Sequence, residues 1–140
     1  MRYLLDTCVV SEFARPRPAA SVTGWLADQR EEDLYLSVLT LGEIQKGIAA
    51  LADGRRQARL QAWLDDDLQQ RFGGRIVGIA TQVAQLWGRI SGEAARRGRP
   101  VPVIDALIAA SALAIDATVV TRNESDLRNA GARTFNPWGS

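Results

Sequence analysis

The chain contains no histidine. That absence excludes Ser-His-Asp triads, Cys-His pairs, zinc sites of the His type and imidazole general bases. A single cysteine, Cys8, rules out an internal disulfide and makes the cytoplasm the expected setting. Lysine is almost missing: Lys46 is the only one among the 17 Lys and Arg residues. No apolar run reaches the ~18–20 residues of a membrane span, and the chain does not open on a basic segment followed by a secretory apolar stretch. Neither a membrane nor an export route is therefore expected. Gly-rich dinucleotide fingerprints and Walker loops are absent too. The net charge of +1 gives no general attraction to polyanions. What remains is 46% apolar and 24% charged in 140 residues, the make-up of an ordinary globular protein. One domain over 1–140 is expected, burying roughly 70% of its unfolded surface.

The pattern alternates strands and helices. Arg2–Leu5 reads as a buried strand, Val9–Phe13 as a helical turn stopped by Pro16 and Pro18, and Ala19–Gln29 as a helix with Val22, Trp25 and Leu26 at helical spacing. Leu34–Ser37 is the second strand. Thr40 is the expected cap of the next helix, with Glu43 as its capping-box partner and Leu41, Ile44, Ile48 and Leu51 on one face. Arg55–Arg71 is a long amphipathic helix stopped by Gly73-Gly74. Ile76–Ile79 is the third strand, Thr81–Arg97 a helix closed by Gly98, and Val103–Ile115 an apolar helix. Thr118–Thr121, a short helix around Asp126–Asn129 and a strand at Arg133–Phe135 complete the order. Such alternation predicts an α/β fold: a three-layer α/β/α sandwich around a mostly parallel sheet.

Three acids stand against apolar sequence. Asp6 follows Tyr3-Leu-Leu5, Glu43 lies within Val38-Leu-Thr-Leu-Gly-Glu-Ile44, and Asp105 interrupts the apolar stretch Val101–Ile115. An ionised carboxylate against apolar surface costs several kcal/mol unless a partner or metal compensates it (~3–5 kcal/mol when a buried pair is broken). No Lys or Arg stands at helical spacing from Asp105, and Arg2, four residues before Asp6, falls in the expected first strand, so a shared divalent cation is expected, with Asp6 and Asp105 as its ligands. In open parallel sheets ligands bind beyond the carboxyl ends of the strands, where the strand order reverses. Asp6 follows the first strand, and the polar turn Thr121-Arg-Asn-Glu-Ser-Asp126 follows the fourth. Oxygen donors suit Mg²⁺, with Mn²⁺ an alternative. Such an ion lowers the pKa of a bound water and neutralises charge on a phosphodiester, a chemistry that needs mainly positioning and electrostatics.

These residues carry a resemblance. Leu4-Leu-Asp6-Thr-Cys-Val-Val-Ser-Glu12, Leu39-Thr-Leu-Gly-Glu43, Ile104-Asp105-Ala-Leu-Ile-Ala-Ala110 and Val120-Thr-Arg-Asn123 resemble, in order and spacing, the PIN-domain family, and within it VapC-type toxins of bacterial toxin–antitoxin pairs. The closing Phe135-Asn-Pro-Trp138 is similar to the FitB-like branch. The resemblance implies a Mg²⁺-dependent endoribonuclease with an RNA substrate, a cognate antitoxin protein, a homodimer, and contact with DNA only through the antitoxin. Asp6, Glu43 and Asp105 match the most regular family acids. Cys8 stands where Asn or Ser is usual, and Asn123 stands where many members carry a fourth Asp. Asp126 or Glu124 is then the candidate for that role, and Thr121 offers a hydroxyl for a water or the scissile phosphate.

Simpler readings exist beside these. Asp6 suits a helix cap, Asn123 a turn, and Cys8 a small packing residue with no histidine to activate it. Asp65-Asp66-Asp67 cannot converge on one ion, because successive helical positions point about 100° apart. Trp25, Trp63 and Trp87 fit core or interface positions. A receiver-like phosphoacceptor is excluded by the missing late Lys and by Gly78-Ile79-Ala80 after the third strand. The alternative function is a PIN-like binding module with little catalysis, which pairs with an antitoxin in a DNA-binding autoregulatory complex. The RNA cut and its sequence are not legible.

Overall fold

Leu4 and Leu5 face opposite ways, and the architecture follows from that alternation. In β1 (Arg2–Leu5), Leu4 packs with Val119, Ile108 and Leu127, while Leu5 packs with Val120, Leu36 and Val9. Both faces of the sheet are thereby loaded with apolar side chains. The computed structural model describes residues 1–139. After β1 come α1 (Thr7–Glu12), α2 (Ala20–Ala27), a 3-10 turn at Glu31–Asp33, β2 (Leu34–Ser37) and α3 (Val38–Ala49). α4 (Gly54–Ala62) runs through a π-helical stretch, Trp63–Leu68, into α5 (Gln69–Arg71). β3 (Ile76–Val77), α6 (Thr81–Arg96), α7 (Val103–Ala114), β4 (Ala117–Val120), α8 (Glu124–Asn129) and β5 (Thr134–Phe135) follow.

The sheet has the order β3-β2-β1-β4-β5, and every pairing is parallel. The chain winds outward from β1 through β2 and β3, then returns to place β4 on the other side of β1, with Leu5 opposite Val120. The order therefore reverses between β1 and β4. One face is covered by α1, α2, α3 and the π-helical stretch through Val9, Val22, Ile44 and Leu64. On the other, Ile108 and Ala112 of α7 and Leu127 of α8 are buried, with Ile90 of α6 packed against them. This is the three-layer α/β/α arrangement that the alternation predicts. No helix among the described residues is long and apolar enough to cross a membrane.

Several boundaries differ from the sequence expectation. α3 starts at Val38 because the Ser37 hydroxyl, at the end of β2, accepts from Leu39 N at 3.1 Å. Thr40 thus lies inside the helix, fully buried with its hydroxyl unpartnered, and does not cap it. The expected Thr40–Glu43 capping box is consequently absent. α1 starts at Thr7, two residues early, because Asp6 caps it. The Arg55–Arg71 helix is not uniform: its Asp65-Asp66-Asp67 run lies in the π-helical stretch, where the wider turn keeps Leu64 and Leu68 buried and leaves the three acids exposed. β3 ends at Val77, short of Ile79, and α8 begins at Glu124, ahead of Asp126. Gly98 does close α6, at a φ of 71° that a side chain would strain.

Candidate active site

The crevice beyond β1 and β4 is built around Asp6. Its backbone N–H donates to Val120 O at 3.0 Å, tying the end of β1 to β4. Its carboxylate is held at both oxygens: Oδ1 accepts from Thr7 N at 2.9 Å, and Oδ2 accepts from Thr121 Oγ1 at 2.8 Å. The capping role and a place in the crevice therefore coexist. Thr121 itself is fully buried, and its hydroxyl also accepts from Asn123 N at 3.1 Å. The hydrogen of the Thr121 hydroxyl is thus directed at Asp6, whose carboxylate it holds.

Thr7 performs the matching task for Glu43. Its hydroxyl donates to Glu43 Oε1 at 2.7 Å, linking α1 to the second turn of α3. Sequence reasoning passed over Thr7, although its place directly after Asp6 was the available signal. Asp105 enters from the first turn of α7. Its carboxyl is pushed above the usual range, first by burial and then by the negative charges of Asp126, Asp6 and Glu43. Asp105 and the three acids whose charges reach it come from four separate segments of the chain. No Arg or Lys lies within ion-pair distance of these four acids among the described residues.

The three candidates for the last acidic position separate clearly. Asp126, in the first turn of α8, acts on Asp105 more strongly than any other charge. Glu124 is turned toward β5, where its Oε2 accepts from Thr134 Oγ1 at 2.6 Å. Asn123 occupies the N-cap position of α8, is exposed, and makes no side-chain capping bond. Cys8 sits half-buried with its sulfur 3.8 Å from Thr121 Oγ1, and Arg122 N donates to it at 3.5 Å. Burial above all, opposed by the Arg122 N–H and aided by the Asp6 charge, raises its thiol pKa, so it stays a neutral packing residue.

The donor set is one of oxygens only. Among the described residues no three acid, Cys or His side chains are gathered closely enough to enclose an ion by themselves. Beside the acids, a groove of about 340 Å³ runs from Thr7 and Glu43 between α1, α3 and α4, over Ile44, Ile48 and Trp63 and past Arg15 and Arg56. Trp25 and Trp63 pack against the core, and Trp87 is half-buried with its indole N–H unpartnered.

Comparison with known proteins bears on the family and the fold. Residues 3–132 match the PIN domain family. Over 135 residues the chain is 36% identical to Toxin FitB of Neisseria gonorrhoeae, covering 96% of this chain and 97% of that one. It is 32% identical over 135 residues to VapC ribonuclease Y4jK of Sinorhizobium fredii, covering 96% of each. A solved structure of FitAB bound to an IR36 DNA fragment superposes with a TM-score of 0.90 at 35% identity, over 99% of this chain and 96% of that one.

Proposed function

The chain belongs to the PIN-domain family, and from that premise we propose that it is an endoribonuclease toxin of a toxin–antitoxin pair, dependent on Mg²⁺ or Mn²⁺. The observation that carries the reading is the set of acids around Asp105, which raise its pKa and have no cationic side chain to neutralise them among the described residues. The relative named a VapC ribonuclease supports RNA as the substrate. In this reading Asp6 and Asp105 hold the cation, and Glu43 and Asp126 complete the acidic crevice, with Asn123 at its rim. When bound, a divalent cation acidifies a water and neutralises charge developing on the phosphate.

The chain's own residues supply order. Thr121 fixes one oxygen of Asp6 and the Thr7 amide fixes the other, so the carboxylate cannot rotate away. The Thr7 hydroxyl holds Glu43 against the same crevice, a position from which a carboxylate accepts a proton from attacking water. Preorganised groups of this kind lower the barrier because no reorganisation is needed during the reaction.

The groove beside Thr7 and Glu43 fits an antitoxin segment, with an Arg of that segment reaching the carboxylates in the bidentate fashion guanidinium favours. A homodimer, residues 1–140 as one domain, a cytoplasmic setting and DNA contact through the antitoxin complete the proposal. The FitAB–DNA structure supports the last of these. The competing binding-module reading draws on Asn123 and Cys8, but in the nuclease reading Asp126 supplies the charge that Asn123 lacks.

The decisive assay is RNA cleavage by purified, antitoxin-free protein in Mg²⁺, Mn²⁺ and chelator. Cleavage should need the metal, and Asp6→Asn or Asp105→Asn should reduce it by at least a hundredfold, roughly 3 kcal/mol. Near wild-type cutting by either variant, with contaminating nucleases excluded, would remove the metal-site assignment. Light scattering that finds only monomer at micromolar concentration would remove the dimer.

A further inference from the structure

A crevice of carboxylates repels the strand it must cut, and nothing in it grips a nucleobase. The adjoining sheet edge offers what is missing. We propose that Arg122, Trp138 and Phe135 form a stacking platform for an unpaired nucleotide of the RNA strand, next to the phosphate presented to Asp6 and Asp105. The inference rests on the ribonuclease reading above and adds a substrate subsite to it.

Arg122 directly follows Thr121, the residue that holds Asp6, and its backbone is anchored by the N–H donated to Cys8 Sγ. Its side chain is exposed and forms no ion pair among the described residues, although Asp6 and Asp126 belong to the neighbouring crevice. The guanidinium instead lies over the Trp138 ring, 5.0 Å from its centroid. Trp138 is fixed beneath it: the indole packs against the core, and its backbone N–H donates to Asn136 Oδ1 at 2.9 Å. Phe135 is 38% exposed and is joined to the end of β4 by its carbonyl, which accepts from Thr121 N at 2.9 Å. Trp25 backs Phe135 at 5.2 Å, and Tyr3 meets Trp25 edge-on at 5.0 Å.

The platform is therefore ordered before any ligand arrives. A planar cation resting on an indole presents its outer face to solvent, and guanidinium planes and aromatic rings both stack on unpaired bases. Stacking is tolerant of sequence because every base has a π-face. The Arg122 charge also offsets the phosphate that the acids repel. A duplex would not use the platform, since its bases are already stacked.

The test measures binding by the full chain in chelator, where no metal-dependent cutting occurs. The probe is a short single-stranded RNA carrying one 2-aminopurine, whose fluorescence is quenched on stacking. Wild type should bind and quench it. Arg122→Ala should weaken binding about five- to tenfold and reduce the quenching. Arg122→Lys should keep the salt-dependent part of the affinity and reduce the quenching as far as Arg122→Ala does, because charge remains and the guanidinium plane is gone. Trp138→Phe retains an aromatic floor and should fall between wild type and Arg122→Ala, with melting temperatures confirming that each variant folds.

Affinity within twofold of wild type and unchanged quenching in both Arg122 variants would overturn the platform. So would a wild-type protein that does not bind the probe. Wild type assayed on the same RNA with Mg²⁺ tests the nuclease separately. Binding without cutting removes the nuclease reading and keeps the platform, whereas cutting with unaffected Arg122 variants does the reverse.

Discussion

Thr121 is fully buried, yet its hydroxyl serves both Asp6 and the Asn123 amide. Replacing it with valine keeps the volume and deletes the donor and acceptor together. The Asn123 N–H then loses its partner and Asp6 Oδ2 is freed to rotate, at a cost of about 1–2 kcal/mol in stability. Cleavage should drop by about tenfold or more, because a loosened carboxylate no longer holds its geometry (misplacement by ~1 Å costs on that order or beyond). Thr121→Ser restores the hydroxyl and should recover most of both losses. Thermal melts beside cleavage rates separate the roles: equal activity in the valine and serine variants would mean Asp6 needs no such support. The position of Thr121 after the fourth strand was readable from sequence, but its orientation was not. A hydroxyl at a strand end points into the crevice or into the protein according to the sheet's pleat, and no local pattern records which. Asp6, by contrast, was legible because an acid directly after an apolar strand has few uses.

The elements were legible where a periodic apolar face defined them, and their ends were less so. α3 shows why. Ser37 and Thr40 both precede the periodic run Leu41, Ile44, Ile48, and either hydroxyl is a competent cap. The choice falls to Ser37 because the chain leaves β2 directly into the helix, with no loop between them. Thr40 is left as a buried hydroxyl with no partner. Two substitutions should therefore behave oppositely to the expectation that Thr40 is the cap. Ser37→Ala removes the bond to Leu39 N and should destabilise the protein by about 1 kcal/mol. Thr40→Val exchanges an unsatisfied hydroxyl for a methyl of the same shape and should be neutral or slightly stabilising. Denaturant melts that show the larger loss at Thr40 would transfer the cap to it. The π-helical stretch was hidden for a related reason: Leu64 and Leu68 keep ordinary helical spacing, so the pattern of apolar residues carries no mark of the wider turn around the three acids.

At the scale of the whole molecule, topology decides whether acids far apart in the chain meet. Strand alternation predicted the parallel sheet, and the reversal between β1 and β4 gave the crevice its location. Distances between the acids depend on helix packing, which no sequence pattern states. The electrostatic consequence is testable without RNA. Asp105 is held above the usual carboxylate range by burial, then by Asp126, Asp6 and Glu43. The folded state therefore keeps the Asp105 proton to a higher pH than the unfolded chain does. Its contribution to stability is fully present below the unfolded pKa and is lost as pH rises through the raised folded pKa. At neutral pH in chelator the ionised group is opposed by its partial burial and by the neighbouring negative charges. Solvent screening reduces that for half-exposed carboxylates, so Asp105→Asn should gain about 1 kcal/mol, a melting-temperature rise of roughly 3–5 °C. The gain should shrink as the buffer is acidified toward the unfolded pKa of about 4, because wild type then carries the proton too. Saturating Mg²⁺ should stabilise wild type more than the variant, which lacks one of the two proposed ligands. Asp66→Asn, on the exposed face of the π-helical stretch, should show neither effect. An Asp105→Asn protein that melts lower in chelator and answers equally to Mg²⁺ would make Asp105 a residue of the fold and not of the ion site.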